Sequence, residues 1–529
     1  MHTELRDALE FLYVDSVVAA RPCRAVTIDV ARGGTGSVHV LLNGISKGGK
    51  IHLTVRSGGQ IVRNHEWFRL IDVPVEVNTG PVAFVEKKGE QNPFVARRAP
   101  FRVYDAMEPT GCTIIASSPS MALRLHLPVA KKGETAHREY TVEIEHGRET
   151  HTLRVTLNIH KTTIPAVGKR SFPYTNWFSF NLMAQRHGLE PWSEAHWQMI
   201  RRYADLMVHA RQNTFWVPLS DIFSVRRKVA VLDRKRLRRI VRVFTDAGMY
   251  FIEGGHVAGR TGGDWNATTF DIGLTQARAT SAEGNAHLAH ITRQLMDQIH
   301  HNGWHERWIQ HVTDEPTEAN ATDYRILVGM VRRYMPGLPI LDATMALKLV
   351  GSVDIWCPQA QEYQKHRRQF DALRAFGDRV WFYTCCSPGG PWLNRLLDME
   401  LLRPALLGWG AALFNLEGFL HWGLNHYRPR QDPFRTSVVG HGGGNFLPAG
   451  DTHIVYPVVG QPWSSLRLEA QREGLEDCEL LLRLRRQDEE LACKIIRKAI
   501  RGFDKYTKNV RTFRDARRQL LETLDGDVR

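Results

Sequence analysis

Asp314 and Glu315 stand side by side in the run Trp308-Ile309-Gln310-His311-Val312-Thr313-Asp314-Glu315-Pro316. Two carboxylates forced into one pocket repel, so their pKa values separate. One can stay protonated as an acid while its neighbour stays ionised, which is the division of labour that acid–base chemistry needs. Pro316 biases Glu315 toward extended backbone and cannot continue a ladder, so the pair belongs at the end of a strand. A second reading stands on spacing alone: Asp314 as the N-cap of a helix, with Glu315 in its first turn.

Other chemistry-bearing residues fall at the ends of similar apolar runs. They are Trp177, Trp216, Glu253, His256, Trp356, Trp381, Tyr383, Trp409 and Asn415, with Trp422 inside Gly418-Phe419-Leu420-His421-Trp422-Gly423-Leu424-Asn425. Aromatic faces stack on the apolar faces of sugar rings, and carboxylates and amides bond hydroxyls. Each single Trp has a competing place in the core, but the set around an acidic pair points to a carbohydrate site. Other chemistries find little support. His301 and His305 have helix spacing, but Gly303 between them marks a helix end, so no metal is expected. No G-x-S-x-G elbow is present, and Gly442-Gly443-Gly444 lacks a following Lys-Ser/Thr. No cofactor is expected.

The elements that must hold these residues come in two styles. Up to about residue 163 the text is β. Tyr140, Val142 and Ile144 alternate with polar residues, as do Leu153, Val155, Leu157 and Ile159, around a turn at Gly147. Shorter β-branched runs begin at Val26, Val38 and Ile51, and together they suggest an antiparallel β-sandwich. Lys161–Pro173 breaks the pattern with two prolines and a glycine. Strand and helix then alternate. The strand candidates are Asn176–Asn181, Thr214–Leu219, Tyr250–Gly255, Trp308–Thr313, Pro339–Thr344, Asp354–Pro358, Val380–Cys385 and Gly408–Asn415. Leu288, Ile291, Leu295 and Ile299 make one apolar helix face. Eight strands over about 250 residues match a (β/α)8 TIM-like barrel, whose active site lies at the C-terminal ends of its strands. A doubly wound sheet is the alternative, but the Gly-rich dinucleotide turn is missing. From Trp463 the text is helical and charged, with Leu491, Ile495, Ala499 and Phe503 as an apolar stripe. The expected domains are therefore 1–163 (sandwich), 164–462 (barrel) and 463–529 (helical segment).

The chain has 529 residues, 43% of them hydrophobic and 24% charged, with a net charge of +14. That is globular composition, not disorder or coiled coil. Basic clusters such as Arg226-Arg227-Lys228 and Arg234-Lys235-Arg236 read as solvated surface, and no nucleic-acid motif accompanies them. Seven cysteines without regular spacing make no disulfide framework. The first twenty residues carry five charges and no apolar h-region, and no run of 18 apolar residues exists, so neither a signal peptide nor a membrane span is expected. The default compartment is the cytoplasm. Homo-oligomer formation stays open.

The Asp314-Glu315-Pro316 strand end, the GFLHWGLN stretch and the segment GDTHIVYPVVGQPWSSLRLEAQREGLEDCELL resemble glycoside hydrolase family 123 and its relatives. The resemblance runs from about Thr163 to Leu484. The last segment is its most specific part, and it reads as structural more than catalytic. Cys478 stands where an aromatic residue is usual, and His421 where Tyr is expected. The resemblance implies an exo-acting β-N-acetylgalactosaminidase acting on β-GalNAc-terminated glycans or glycosides, with a substrate-assisted retaining mechanism. Glu315 would be the acid and then the base. Asp314 would orient the 2-acetamido group and stabilise the oxazolinium, and Tyr383 would bond the acetamido carbonyl. Trp177, Glu253, His256, Trp356, Trp381, Trp409 and Trp422 would line the sugar site. Two alternatives stay open. One is another β-glycosidase, acting on β-N-acetylglucosamine or on a sugar without an acetamido group, with Glu253 or Glu417 as a separate nucleophile. The other is a non-catalytic glycan-binding barrel.

Overall fold

The computed structural model describes residues 1–133 and 136–526. They form two compact units. One comprises Met1–Ala166, Cys386–Asn415 and Asn425–Arg529; the other comprises Val167–Cys385 and Leu416–Leu424.

In the first unit, two sheets share one apolar core. His2–Asp7, Thr35–Asn43, Ser120–Pro128, Glu66–Val75 and Phe101–Thr110 pair antiparallel in that order. The other sheet runs through Ala25–Arg32, Glu149–Thr163, Ala136–His146 and Lys50–Ser57. The hairpin read from the sequence is there, with Tyr140 opposite Val155 and Val142 opposite Leu153. The side-chain period of two sends Val38, Val40 and Leu42 from one sheet, and Leu53, Val142 and Leu153 from the other, into the common core. One pair departs from the expected antiparallel pattern: Ala25–Arg32 lies parallel to Glu149–Thr163. The unit also holds the helices Leu402–Phe414, Leu466–Gln487, Glu489–Ala499 and Val510–Gly526.

The second unit is built on parallel strands. Its larger sheet has the order Trp308–Gln310, Phe251–Gly254, Thr214–Val217, Tyr174–Asn176, Phe419–His421 and Phe382–Thr384. Every pairing in it is parallel. A smaller parallel sheet joins Leu341–Asp342, Ile355–Trp356 and Arg379–Val380. Parallel bridges Gln310–Ile340 and Gln359–Tyr383 link the margins of the two sheets. Ile309, Leu341, Ile355, Cys357, Trp381, Tyr383 and Leu420, drawn from both sheets, pack into one cluster. Helix Ala282–His301 buries Leu288, Ile291, Leu295 and Ile299, the face read from the sequence.

Six of the strand candidates contain strands that the structure shortens to two to four residues, and a seventh, Asn176–Asn181, meets its strand Tyr174–Asn176 only at Asn176 and runs on into the helix Phe180–Arg186. The eighth contains none. Gly408–Asn415 lies in the helix Leu402–Phe414, and the last parallel strand is Phe419–His421. Leu402–Phe414 is buried on nearly every side, so its apolar text has no helical period to betray it. No helix among the described residues is long and apolar enough to cross a membrane.

Candidate active site

Asp314 and Glu315 follow the C-terminal end of the strand Trp308–Gln310. The next helix, Ala321–Tyr334, takes Asn320 as its N-cap, so the Asp-Glu-Pro run is not a helix start. Glu315 has φ +43°, a left-handed backbone that a side chain adopts at a cost of about 1–2 kcal/mol. That turn reverses the alternation that would have sent neighbouring carboxylates to opposite faces. Two groups hold it. Arg260 Nη2 donates to the Glu315 carbonyl at 2.5 Å, and Thr344 Oγ1 donates to the Pro316 carbonyl at 2.7 Å.

The Tyr383 hydroxyl donates to Glu315 Oε1. Burial and the Asp314 charge push Glu315 up to about 7, against the Tyr383 hydrogen bond and the Arg260 charge. Burial also raises Asp314, opposed by Arg260 and His311. Tyr383 itself is driven well up by burial and the neighbouring Glu315 charge, so it stays a phenol and a donor.

Beside the pair lies a buried network. His311 Nε2 donates to Glu253 Oε1 at 2.6 Å, and its Nδ1 donates to Asp342 Oδ1 at 2.9 Å. Both nitrogens therefore carry hydrogen, and the ring is an imidazolium. Burial lowers its pKa, but the two carboxylates win and raise it to about 9. Glu253 also accepts from Thr175 Oγ1 at 2.5 Å and Trp177 Nε1 at 2.9 Å, and Asp342 accepts from the Tyr324 hydroxyl. The indoles of Trp177 and Trp216 stack at 4.6 Å, and both meet the edges of His256 and His311. Burial and the His311 charge lower His256 to about 3, so that ring is neutral. Its buried Nε2 has no hydrogen-bond partner.

Nitrogens of His256 and His311 and an Asp342 oxygen lie within 4.8 Å of one another, a spacing a metal ion can use. Binding one would break the His311–Asp342 hydrogen bond. The carboxylates already satisfy both His311 nitrogens, so this donor set suits a proton better than a metal.

The structure thus brings Asp314, Glu315 and Tyr383 together, and gathers Glu253, Trp177 and His256 around His311. Trp422 follows the strand Phe419–His421 and is partly exposed. Three expected ring platforms need correction. Trp356 is fully buried, with its indole N–H on Asp378 at 2.9 Å and its ring against Phe370 of the helix Arg367–Ala375. Trp409 is buried in the other unit, bonded to Asp477 and packed on Phe513. Trp381 is 1% exposed and fills the interior cluster, so close to Gly418 that a Cβ there would sit 2.3 Å from the ring. Glu417 also leaves the candidate list. It precedes the strand Phe419–His421, its N–H bonds the Val380 carbonyl, and it pairs with Arg374 at 3.5 Å. That is the N-terminal end of the strand, away from the acidic pair. Arg260, His311, Asp342 and Tyr324 were not singled out from the sequence. His311 sits in the acidic run itself, but alternation alone reads it as one more strand residue.

Residues 264–484 match the family model described as Glycoside hydrolase 123, catalytic domain. That span holds Asp314, Glu315 and Tyr383 but not Glu253. Among solved structures, a family 123 glycoside hydrolase from Clostridium perfringens, described for glycolipid glycan hydrolysis, superposes with a TM-score of 0.74. It is 12% identical, over 99% of this chain and 97% of that one, and at that identity the likeness is one of fold. The endo-β-1,4-mannanase from Thermotoga petrophila (9% identical, 60% of this chain and 78% of that one) has a TM-score of 0.37. No curated protein matches. The family match, with an acidic pair at a strand end inside it, supports glycoside hydrolase activity.

Proposed function

We propose that the chain is an exo-acting β-N-acetylgalactosaminidase that works by substrate-assisted retention. The scaffold in this reading is a (β/α)8 barrel: the two parallel sheets and their marginal bridges form a ring, preceded in sequence by a β-sandwich. The observation that carries the proposal is the buried acidic pair, with the Tyr383 hydroxyl bonded to Glu315. Glu315, raised to about 7 and held by Tyr383, suits the proton donor. Asp314, facing the Arg260 and His311 charges, suits the ionised partner.

In the first step the substrate's acetamido oxygen attacks C1, Glu315 gives its proton to the glycosidic oxygen, and the C1–O bond breaks. Asp314 accepts the acetamido N–H and balances the oxazolinium charge, an interaction strongest in the transition state. In the second step Glu315 takes a proton from water, which attacks C1 and reopens the ring. Trp177 and Trp216 supply the sugar platform, with Trp422 at the rim. Tyr383 acts here as the donor that places Glu315, a different role from bonding the acetamido group.

The same geometry weakens the two-carboxylate alternative. A nucleophilic carboxylate must reach C1, but Glu253 is 1% exposed and bound by three donors, and Glu417 lies at the opposite strand end. The glycolipid glycan of the Clostridium perfringens enzyme is the substrate class we propose for this chain. The test compares an aryl N-acetyl-β-galactosaminide with the matching aryl β-galactoside. Cleavage of the first alone is expected, because an intramolecular nucleophile acts at effective molarities of about 10⁵–10⁸ M. Equal cleavage of both, or a fluorosugar adduct on Glu253, sinks the proposal. Glycan binding without any cleavage would favour a lectin-like protein.

A further inference from the structure

The connection between Phe251–Gly254 and the helix Ala282–His301 carries a ring with no assigned role. Trp265 is 53% exposed. The Arg260 guanidinium carbon lies 4.0 Å from its ring centroid. The same guanidinium donates to the Glu315 carbonyl. One arginine thus joins an open indole to the backbone of the acid. Its planar head covers one face of the ring and leaves the other to solvent.

The loop is built, not slack. Ala258–Arg260 pairs antiparallel with Phe270–Ile272. Thr261 Oγ1 donates to Asp271 Oδ1 at 3.1 Å, and Asp264 Oδ1 accepts from Asn266 N–H at 2.9 Å. Asp323, in the first turn of the helix after the acidic pair, accepts from Phe270 N–H at 3.0 Å. The segments bearing Trp265 and Glu315 are therefore tied at two points, through Arg260 and through Asp323. An indole that is exposed yet held in place is preorganised for a flat apolar partner, and little conformational freedom is lost when one arrives.

The packing gives this ring a side. Trp177 and Trp216 pack with His256 and His311, whereas Trp265 belongs to the loop that Arg260 fastens to the Glu315 backbone. A glycosidic oxygen on Glu315 joins the cleaved sugar to its leaving group. With the cleaved sugar on the Trp177 and Trp216 platform, the leaving group falls toward Arg260 and Trp265.

We propose that Trp265, held by Arg260, is a leaving-group subsite that stacks a hexopyranose ring on its exposed face. This inference rests on the glycosidase reading above. The test compares wild type, Trp265→Ala and Trp265→Phe on two substrates: a GalNAc-β-linked disaccharide and N-acetyl-β-galactosaminyl fluoride, whose leaving group has no ring to stack. For Trp265→Ala, kcat/KM on the disaccharide is expected to fall about tenfold, the scale of a lost aromatic contact. The fluoride should be cleaved at the wild-type rate, and Trp265→Phe should keep most of the disaccharide activity. An equal fall on both substrates, or no fall on the disaccharide, overturns the subsite. Wild type inert to both compounds overturns the glycosidase reading, and the subsite falls with it.

Discussion

Glu315 is raised by burial and by Asp314, and Tyr383 and Arg260 pull the other way. The signs give a pH profile. Turnover should rise as Asp314 ionises, above the ordinary carboxylate range because its pKa is also raised. It should fall as Glu315 loses its proton, with a basic limb near pH 7. Glu315→Gln should lower kcat by about 10²–10⁴-fold and erase that limb. A variant that keeps the limb would move the acid role elsewhere. Tyr383→Phe removes a hydrogen bond that stabilises the ionised carboxylate, so the basic limb should move to higher pH. A pH–rate series on the variant decides this, and an unmoved limb would mean the phenol does not act on Glu315. Asp314→Asn should lower kcat on N-acetylated substrates more than it changes KM, since the lost interaction grows in the transition state.

At the scale of elements, the sequence carried strand positions well and side-chain directions poorly. The run from Trp308 to Pro316 was legible as a strand ending in an acidic pair, because apolar text and a proline are local signals. The left-handed turn at Glu315 was not, since Arg260 and Thr344 hold it from distant parts of the chain. The rings divide by the same logic. Trp177 and Trp356 both sit at strand ends, and one residue of register decides which way each faces. Trp177 turns to Glu253 and His311, and Trp356 turns outward to Phe370 and Asp378. Substitution should separate them. Trp356→Ala should cost about 3–5 kcal/mol, read as a lower urea midpoint, with kcat/KM of the folded protein unchanged. Trp177→Phe removes a donor from buried Glu253 and should lower kcat/KM with a smaller loss of stability. Equal kinetic effects from the two would return Trp356 to the site.

For the molecule as a whole, the part of the sequence with the most specific resemblance and the part that holds the acidic pair lie in different units. Ser465-Leu466-Arg467-Leu468-Glu469 opens the helix Leu466–Gln487 in the first unit, and Asp314 and Glu315 belong to the second. Arg467 shows what that resemblance encodes. It is fully buried, and its guanidinium bonds Asp105 Oδ2 at 3.0 Å and the carbonyls of Arg395, Gly450 and His453 at 2.8–3.1 Å. The Tyr456 hydroxyl completes the shell of Asp105 at 2.6 Å. One side chain thereby joins an N-terminal strand to two C-terminal loops of the same unit, one at Arg395 and one holding Gly450 and His453. Such a residue tolerates no substitute with fewer donors. Arg467→Met should strand the Asp105 charge and orphan three carbonyls, at a cost of about 3–5 kcal/mol. Chemical unfolding followed by CD would show the loss, while active-site titration should give an unchanged kcat per folded molecule. A fall in kcat with an unchanged unfolding midpoint would instead place Arg467 in the chemistry, and the segment that carries the resemblance would be part of the site.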